Sequence, residues 1–541
     1  MRTGYVLILV MSSIACGRSS PSEEAGSAIQ PAHHHPIVTS RPDAQRAFDR
    51  GFELVYAFNH EEAVRAFQRA AELDPIAPMP HWGVAWAVGP NYNLDIDDPR
   101  ARQAWEAMEK ARTLAVNGND RERAYINAMA IRYSADPKAD RAVLARQYSE
   151  AMRDLTQEFP DDLDAATLYA ESLMNLHAWK LWSLDGTPAE GTETLVGVLE
   201  SVLRRNPQHL GANHYYIHTV EASPRPERGL ASAMRLETLV PTEGHLVHMP
   251  AHIYARTGNH AGAARANFAG AEADRRYMKT AAPDSFYVMA YYSHNLHFLA
   301  DSHMMQGRFV DAQAAAAELA ERITPHADMM PMAESMAVAP LSVLLRFNKH
   351  SEVLNAAAPP ADRPVMAAWW HFARGVALAK SGRPDEAEGE RKALDAAIST
   401  MPDTALFGGT GLESARTVLT VAATALDARI AAARGNLPAA IGRWTAAVAA
   451  ADRLPYDEPP IWFYPMRESL GAAFLLANRP ADAERVFRED LQRYPRNARS
   501  LLGLMESVRL QGKPNDAAWI QYAVDEAWRN ADTPMPAVDE L

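Results

Sequence analysis

Three short segments of the chain carry histidines and carboxylates at spacings that line one face of an α-helix. Each segment holds three such side chains: His214, His218 and Glu221 in HYYIHTVE, His245, His248 and His252 in HLVHMPAH, and His294, His297 and Asp301 in HNLHFLAD. Side chains three or four residues apart on a helix have Cβ atoms about 5–6 Å apart, so that two imidazoles can reach one ion. The segments therefore predict a metal site to which several helices contribute.

Histidine is concentrated in this part of the chain, since ten of the nineteen histidines lie between residues 209 and 303. The alternative is a plain polar core, but each imidazole buried without a partner would cost about 1–3 kcal/mol. Pro250 bears on whether the three histidines of HLVHMPAH share one helix face, because proline suits only the first turn of a helix or a kink. If a helix begins there, His245 comes from the entry loop and only His248 and His252 share a face.

The ligand types restrict the metal. Cys16 is the only cysteine, which excludes thiolate zinc sites and iron–sulfur clusters. Imidazole-dominated ligation suits copper, iron or zinc. More ligands are present than one closed tetrahedral site needs, which indicates two or more ions, or one ion with acid–base groups to spare. Glu221 and Glu171 are candidates for proton transfer or bridging, and Tyr215 for orienting ligands or for redox chemistry.

Two further groups of histidines and aromatic residues stand near these segments. His33 and His35 in HHHP, and His60 in AFNHEEA, either fold back as additional metal ligands or remain solvated. The stretch ESLMNLHAWKLWSLDG, with Glu171 and Trp182, is typical of a pocket wall or lid; the alternative is an aromatic plug between repeats.

A second candidate patch is YDEPPIWFYPMRESLG, residues 456–471. The proline pair forbids a helix and predicts a rigid loop. Glu458, Tyr464 and Arg467 could offer charge and hydrogen bonds to a ligand, and His371 in AWWHFARG could belong to the same groove. The alternative is a capped, aromatic-packed junction between repeats.

Composition and charge are those of a soluble globular protein. The 541 residues are 48% apolar and 22% charged, with a net charge of −13, which argues against nucleic-acid binding. Residues 1–15 predict a signal peptide, because the apolar run YVLILV is too short to span a bilayer. SIAC, ending at Cys16, resembles a bacterial lipobox and implies lipidation of that cysteine; a plain secretory signal is the alternative. Residues 16–32 predict a flexible tether.

The rest of the chain repeats a pattern of small, aromatic and proline residues. It is clearest at Gly51, Ala63, Phe67, Ala70 and Pro75, and again at Gly471, Ala483, Phe487 and Pro495. This pattern resembles the tetratricopeptide repeat (TPR) family, which implies an all-α superhelix of stacked helix pairs. Only Ala483 to Ala517 keeps the 34-residue step, so long inserts are expected. We expect a first array with the His-rich centre over residues 33–340 and a second array over residues 341–541.

Four segments in combination, YYIHTVEASPRPER, HLVHMPAHIYARTG, SHNLHFL and EPPIWFYPMR, resemble a group of bacterial His-rich TPR proteins. The resemblance extends over most of residues 33–530. It implies that these segments act together, and no reaction follows from it.

Our leading hypothesis is an exported, lipid-anchored TPR-like solenoid with a His-rich metal pocket. It would be a metalloenzyme, either an oxidoreductase or a hydrolase, acting on a small-molecule or peptide ligand. Gly17 after Cys16 indicates the outer membrane facing the periplasm, with membrane contact only through the lipid. The alternatives are an adaptor that binds a peptide or envelope protein partner in its concave groove, and metal sequestration without turnover.

Overall fold

The computed structural model describes residues 31–281 and 285–541, and this part of the chain is all-α apart from one small hairpin. Its helices are α1 Pro42–Tyr56, α2 His60–Leu73, α3 Met79–Val88, α4 Asp98–Leu114, α5 Asp120–Ala130, α6 Arg141–Glu158, α7 Leu163–Leu176, α8 Thr192–Arg205, α9 Leu210–Val220, α10 Leu230–Leu239, α11 Gly244–His248, α12 Pro250–Arg256, α13 His260–Tyr277, α14 Ser293–Met305, α15 Phe309–Ile323, α16 Ala333–Ala337, α17 Ala339–Arg346, α18 His350–Asn355, α19 Pro364–Lys380, α20 Pro384–Ser399, α21 Ala415–Ala433, α22 Leu437–Ala451, α23 Arg467–Leu476, α24 Pro480–Arg493, α25 Ala498–Leu510 and α26 Pro514–Ala527.

A π-helical turn, Val288–Tyr292, leads into α14. The strands β1 Leu406–Phe407 and β2 Glu413–Ser414 pair antiparallel. Within the described ranges, no helix combines the length and apolar character needed to cross a bilayer.

Consecutive helices pack in pairs through glycines that admit an aromatic ring. A Cβ atom on Gly51 would lie 2.6 Å from the ring of Phe67, and one on Gly83 would lie 2.5 Å from it, so that α1, α2 and α3 meet around this buried ring. Phe487 fills the equivalent space between Gly471 and Gly503 in the C-terminal repeats. Short turns between such pairs make neighbouring helices antiparallel. The chain is a TPR-like helical solenoid, which confirms the fold predicted from the repeat pattern.

The longer connections bring side chains to the interior. Residues 89–97 join α3 to α4, residues 177–191 join α7 to α8, and residues 452–466 join α22 to α23. The first two are folded by isolated bridges, Asn91 with Leu94 and Trp182 with Pro188. These inserts, together with α9 and α11–α14, surround the candidate site.

The C-terminal repeats pack back onto the middle of the chain. Gly258, with φ of 77°, abuts the carbonyl of Pro495, and Gly307, with φ of 73°, abuts the ring of Trp528. A side chain at either glycine would collide with these neighbours. The division at residue 340 stays a prediction. The expected signal peptide and Cys16, and nearly all of the expected tether, lie outside the described residues.

Candidate metal centre

Helix α9 brings the first pair of histidines into the interior. All eleven of its residues are buried, and His214 and His218 are one turn apart on it. Glu221 is the residue that ends the helix, and it is fully buried as well.

Helices α11 and α12 form one helical segment with a break at Pro250. Met249 between them has φ of −50° and ψ of −34°, which is helical backbone. His245 is therefore on a helix and not in an entry loop. Helix α13 packs closely against this segment, because a Cβ atom on Gly270 would lie 2.8 Å from the carbonyl of Gly244 and 2.9 Å from the Cβ of His248.

Six imidazoles form two groups of three, which we call the first and second triads. The first triad is His214, His218 and His245, and the second triad is His248, His252 and His294. Within each triad one ring nitrogen of every histidine lies within 4.8 Å of the others. The Nε2 atoms of His214 and His245 are 3.1 Å apart, and the Nε2 atom of His248 is 2.6 Å from that of His252 and 3.1 Å from that of His294.

Four of these rings are held through their other nitrogen, Nδ1. His214 donates from Nδ1 to the carbonyl of Tyr56 at 2.6 Å, and His248 donates from Nδ1 to Oδ1 of Asn267 at 2.5 Å. His218 and His252 donate from Nδ1 to the two carboxylate oxygens of Glu221 at 3.0 and 2.7 Å. Hydrogen bonding of the outer nitrogen to a carbonyl or carboxylate is the arrangement that orients metal-ligating histidines.

These hydrogen bonds determine which ring nitrogen of each histidine carries a free lone pair. Carbonyl and carboxylate oxygens only accept, so Nδ1 carries the proton and Nε2 of the neutral ring is left with a bare lone pair. In His248 and His252 these lone pairs face each other across 2.6 Å. Burial lowers the pKa of both histidines, which opposes a second proton on either ring. A metal cation between the rings would resolve this repulsion.

A second histidine cluster in the molecule shows the opposite arrangement. His33, His35 and His209 surround the carboxylate of Asp164 at 3.0, 2.8 and 3.2 Å. Burial alone would raise the pKa of Asp164, but these imidazoles hold it well below its usual range. Here N–H groups point at an anion and no lone pairs oppose each other. His33 and His35 thus fold back, but onto Asp164 and not onto either triad.

Two carboxyl groups lie side by side next to the triads. The loop 452–466 places Glu458 in contact with His252 and Glu221. Burial opposes ionisation of Glu221, but the N–H groups of His218 and His252 hold its pKa well below the ordinary value. Burial and the charge of Glu221 raise the pKa of Glu458 well above its ordinary value. Ionisation is therefore favoured at Glu221 and opposed at Glu458.

Both triads open onto one cavity of about 1660 Å³. His218 and His245 of the first triad line it, as do His252 and His294 of the second triad and Glu458. A ligand that enters this cavity meets both groups of imidazoles at once.

Three further predicted metal ligands do not join the triads. His297 and Asp301 line a separate cavity of about 30 Å³. The reason is that Phe298, four residues after His294, occupies the face of α14 toward the second triad, with its ring 5.8 Å from that of His248. His60 is separated from the first triad by the ring of Phe58, which stacks on it at 5.8 Å.

Glu171, Tyr215 and Trp182 pack between helices and do not line the cavity. Glu171 accepts hydrogen bonds from Nε1 of Trp86 at 3.0 Å and from the amide of Asn175 at 3.1 Å. The Tyr215 ring meets that of Tyr56 edge-on at 5.7 Å. Trp182 donates from Nε1 to the carbonyl of Thr219 at 2.7 Å. These contacts correct the expectation that Glu171 acts beside the metal and that Trp182 contacts a ligand, whereas Tyr215 lies beside the first triad, with its ring 5.5 Å from that of His214.

The predicted ligand patch is not assembled either, since of its residues only Glu458 reaches the cavity. Arg467 pairs with both oxygens of Asp452 at 2.8 and 2.6 Å. The Tyr464 hydroxyl lies 3.2 Å from that of Ser469, and His371 lies 2.6 Å from Glu390 on the neighbouring helix. The arginine, tyrosine and histidine tie helices together, which is the packed junction considered as the alternative.

Several residues of the centre were not found from the sequence. Tyr56 acts through its backbone carbonyl, which every residue has. Asn267 lies on α13, outside the histidine segments, and no spacing links it to His248. His209 and Asp164 are far apart along the chain, so that no local pattern joins them.

No protein-family model and no curated protein matches the chain. Among solved structures, the human IFIT1 dimer with m7Gppp-AAAA is similar at 12% identity, over 90% of this chain and 91% of that one, with a TM-score of 0.33. The P58(IPK) TPR domain is similar at 9% identity, over 87% and 99%, with a TM-score of 0.21. Cut9–Hcn1 of the APC/C is similar at 11%, over 90% and 93%, with a TM-score of 0.29. Scores this low carry no argument, and the solenoid assignment rests on the glycine–aromatic packing between helix pairs.

Proposed function

We propose that the chain binds two metal ions, one in each triad, and acts as a metalloenzyme on a ligand that enters the shared cavity. The observation that carries this proposal is the facing pair of Nε2 atoms in His248 and His252, 2.6 Å apart, with both Nδ1 protons donated elsewhere. A cation bound on the side of the lone pairs would make that geometry favourable. The three rings around Asp164 instead surround a carboxylate.

Copper is the metal that the donor set favours. Each triad offers three imidazole nitrogens, and imidazole ligation suits copper, zinc, iron and nickel, with copper at the top of the affinity order. A carboxylate-bridged iron pair would need carboxylate oxygens as ligands, but both oxygens of Glu221 accept N–H groups of His218 and His252. We therefore propose a pair of copper ions and an oxidoreductase.

A zinc hydrolase is the second candidate, and the observation that favours it is the position of Glu458 at the cavity wall, in contact with His252. Three histidines with an open fourth position form a common catalytic zinc site. An un-ionised carboxyl group at the cavity wall could donate a proton to a leaving group.

The surrounding residues prepare the centre for chemistry in either case. When bound, paired copper ions would supply transfer of electrons from a substrate, whereas zinc would supply Lewis acidity. Glu221 links the two triads, since its carboxylate holds one ring of each. The rings of Phe58 and Phe298 pack against His214 and His252, and neither ring lines the cavity.

The proposal is tested by metal content. Untagged protein loaded with copper, and separately with zinc, should contain two ions per chain by elemental analysis. The double variant His214→Ala/His218→Ala should retain one ion, and His248→Ala/His252→Ala should retain the other. His209→Ala, in the Asp164 cluster, is the matched control and should retain both. Loading below half an ion per chain, unchanged in the double variants, would refute the centre and favour a protein-binding scaffold.

Activity separates the two candidates. Oxygen consumption with a reducing substrate by copper-loaded protein would support the oxidoreductase, and ester or amide cleavage by zinc-loaded protein would support the hydrolase. Two ions per chain without either turnover would instead indicate metal storage.

We also propose export and lipid anchoring through Cys16. Mass spectrometry of the mature amino terminus should find acylated Cys16, and Cys16→Ala should release the protein from membranes. An unmodified cysteine in the mature protein would contradict this proposal.

A further inference from the structure

One side of the cavity, next to the first triad, is built of three aromatic rings. We call Tyr92, Trp179 and Tyr291 the aromatic wall. Tyr92 stacks on Trp179 with centroids 5.0 Å apart and lies 5.1 Å from the ring of His218. Tyr291 lies 4.8 Å from the ring of His245. All three rings line the cavity together with these two histidines.

Asn93 fixes two of the rings in place. Its Oδ1 accepts from Nε1 of Trp179 at 3.2 Å, and its amide nitrogen donates to the Tyr291 hydroxyl at 3.1 Å. The turn that carries it is closed by Asn91, whose side chain accepts from the backbone N–H groups of Asn93 and Leu94 at 2.9 and 3.0 Å. Because the polar groups of Trp179 and Tyr291 are bonded to Asn93, these two side chains contribute ring surface to the wall.

Two segments of the wall adopt backbone conformations that cost free energy. Trp179 has φ of 60°, in the left-handed region that bulky residues rarely adopt. Tyr291 lies in the π-helical turn Val288–Tyr292. Such features persist where the surrounding structure enforces them, and they occur preferentially at functional sites. In this molecule both of them bring an aromatic ring to the cavity beside the first triad.

We propose that the aromatic wall is the binding subsite for a planar aromatic ring of the phenol class, presented to the metal centre. This inference rests on the proposed function, which it extends to the substrate. Ring surface recognises ring surface, and aromatic pairs gain free energy beyond the area they bury. Glu458 lines the same cavity, and its carboxyl group can bond a phenolic hydroxyl.

The cavity is larger than a single ring requires. Its volume of about 1660 Å³ exceeds the ~300–1,000 Å³ of ordinary small-molecule pockets. A ring held by the wall can therefore belong to a small phenol or to the tyrosine side chain of a peptide.

The test is a binding titration with zinc-loaded protein, which cannot turn over a phenol oxidatively. Calorimetry should show phenol binding about tenfold more tightly than cyclohexanol, which has a similar volume and no ring face. Trp179→Leu should reduce phenol affinity about tenfold, and Asn93→Ala, which keeps every ring, should reduce it less. Trp105→Leu is the matched control, because Trp105 lines the same cavity outside the aromatic wall.

Equal affinities for phenol and cyclohexanol would overturn the inference, and so would unchanged phenol affinity in both Trp179→Leu and Asn93→Ala. A Gly-Gly-Tyr-Gly-Gly peptide tested alongside identifies the source of the ring. Binding of the peptide supports a peptide substrate, whereas a protein that binds phenol but not the peptide supports a free phenol as substrate. Metal content measured on the same samples separates the two proposals. Two ions per chain without ring selectivity refutes the aromatic subsite alone, whereas ring selectivity without metal refutes the proposed function.

Discussion

At the scale of single residues, Glu221 connects the two triads. It is fully buried, it remains charged because His218 and His252 donate to it, and each of these histidines belongs to a different triad. Groups that orient metal ligands in this way typically change metal affinity 10- to 100-fold when they are replaced.

Glu221→Gln is therefore expected to weaken the binding of both ions about 10- to 100-fold. The amide keeps one acceptor oxygen and turns its NH2 group toward the other imidazole N–H. Competition with a chelator of known affinity measures the loss. Glu171→Gln is the control, because Glu171 is a buried carboxylate that contacts Trp86 and Asn175 and neither triad. Equal losses in the two variants would contradict the linking role of Glu221.

The sequence predicted which histidines share a helix but not which helices face each other. Spacing of four residues identified the pairs His214/His218 and His248/His252, because it places two rings on one face of a helix. It could not show that His245 and His248, three residues apart, belong to different triads. It also assigned His297 to the centre, because nothing local reveals that Phe298 occupies the face of α14 toward the metal site.

At the scale of helices, the second triad depends on how closely α13 approaches α11. Gly270 faces the carbonyl of Gly244 and the Cβ of His248 with no room for a methyl group. Elsewhere on the described helices a glycine has open space, as at Gly197 on α8, where an added Cβ would meet nothing within 4 Å. The two positions allow the same substitution to be compared in opposite environments.

Gly270→Ala is expected to lower the free energy of unfolding by about 1–3 kcal/mol, because the methyl group overpacks the contact of α13 with α11. It should also displace His248 and weaken the ion in the second triad. Gly197→Ala should instead raise the free energy of unfolding by about 0.5–1 kcal/mol, since alanine is the better helix former in open space. Chemical denaturation and metal titration measure both effects. A Gly270→Ala protein as stable as wild type, with two tightly bound ions, would contradict this account.

At the scale of the whole molecule, the centre is assembled from distant repeats. The loop 452–466 supplies Glu458 to a site whose histidines lie between residues 214 and 294. The repeat pattern predicted the helix pairs, because pairing is local and repeats along the chain. The pattern did not predict that the C-terminal repeats pack back onto the middle of the chain. A repeat period determines the contacts between neighbouring helices, but not the curvature that accumulates along a solenoid.

His260 lies at this return, near Pro495, with both ring nitrogens buried. Burial lowers its pKa from 6.5 to about 4. Between these values the unfolded chain binds a proton that the folded chain does not, so stability falls as pH decreases from 6.5 to 4, by about 3 kcal/mol. His260→Gln should remove this part of the acid sensitivity. Denaturation of metal-free wild type and variant at pH 7.5 and 4.5 checks it, with His326→Gln as the control. The same pH dependence in wild type and His260→Gln would contradict the assignment.

Asp532 fastens the end of the chain to the start of α15. Its carboxylate accepts the backbone N–H groups of Phe309 and Val310 at 2.7 and 3.0 Å, so a residue from the C-terminal tail caps a helix in the middle of the chain. Asp532→Ala should lower the free energy of unfolding by about 1 kcal/mol and speed amide exchange at those two positions. Asp525→Ala, on the exposed face of α26, is the matched control and should do neither. Identical exchange in the two variants would mean that the C-terminal repeats do not hold α15, and that the return of the solenoid is maintained by apolar packing alone.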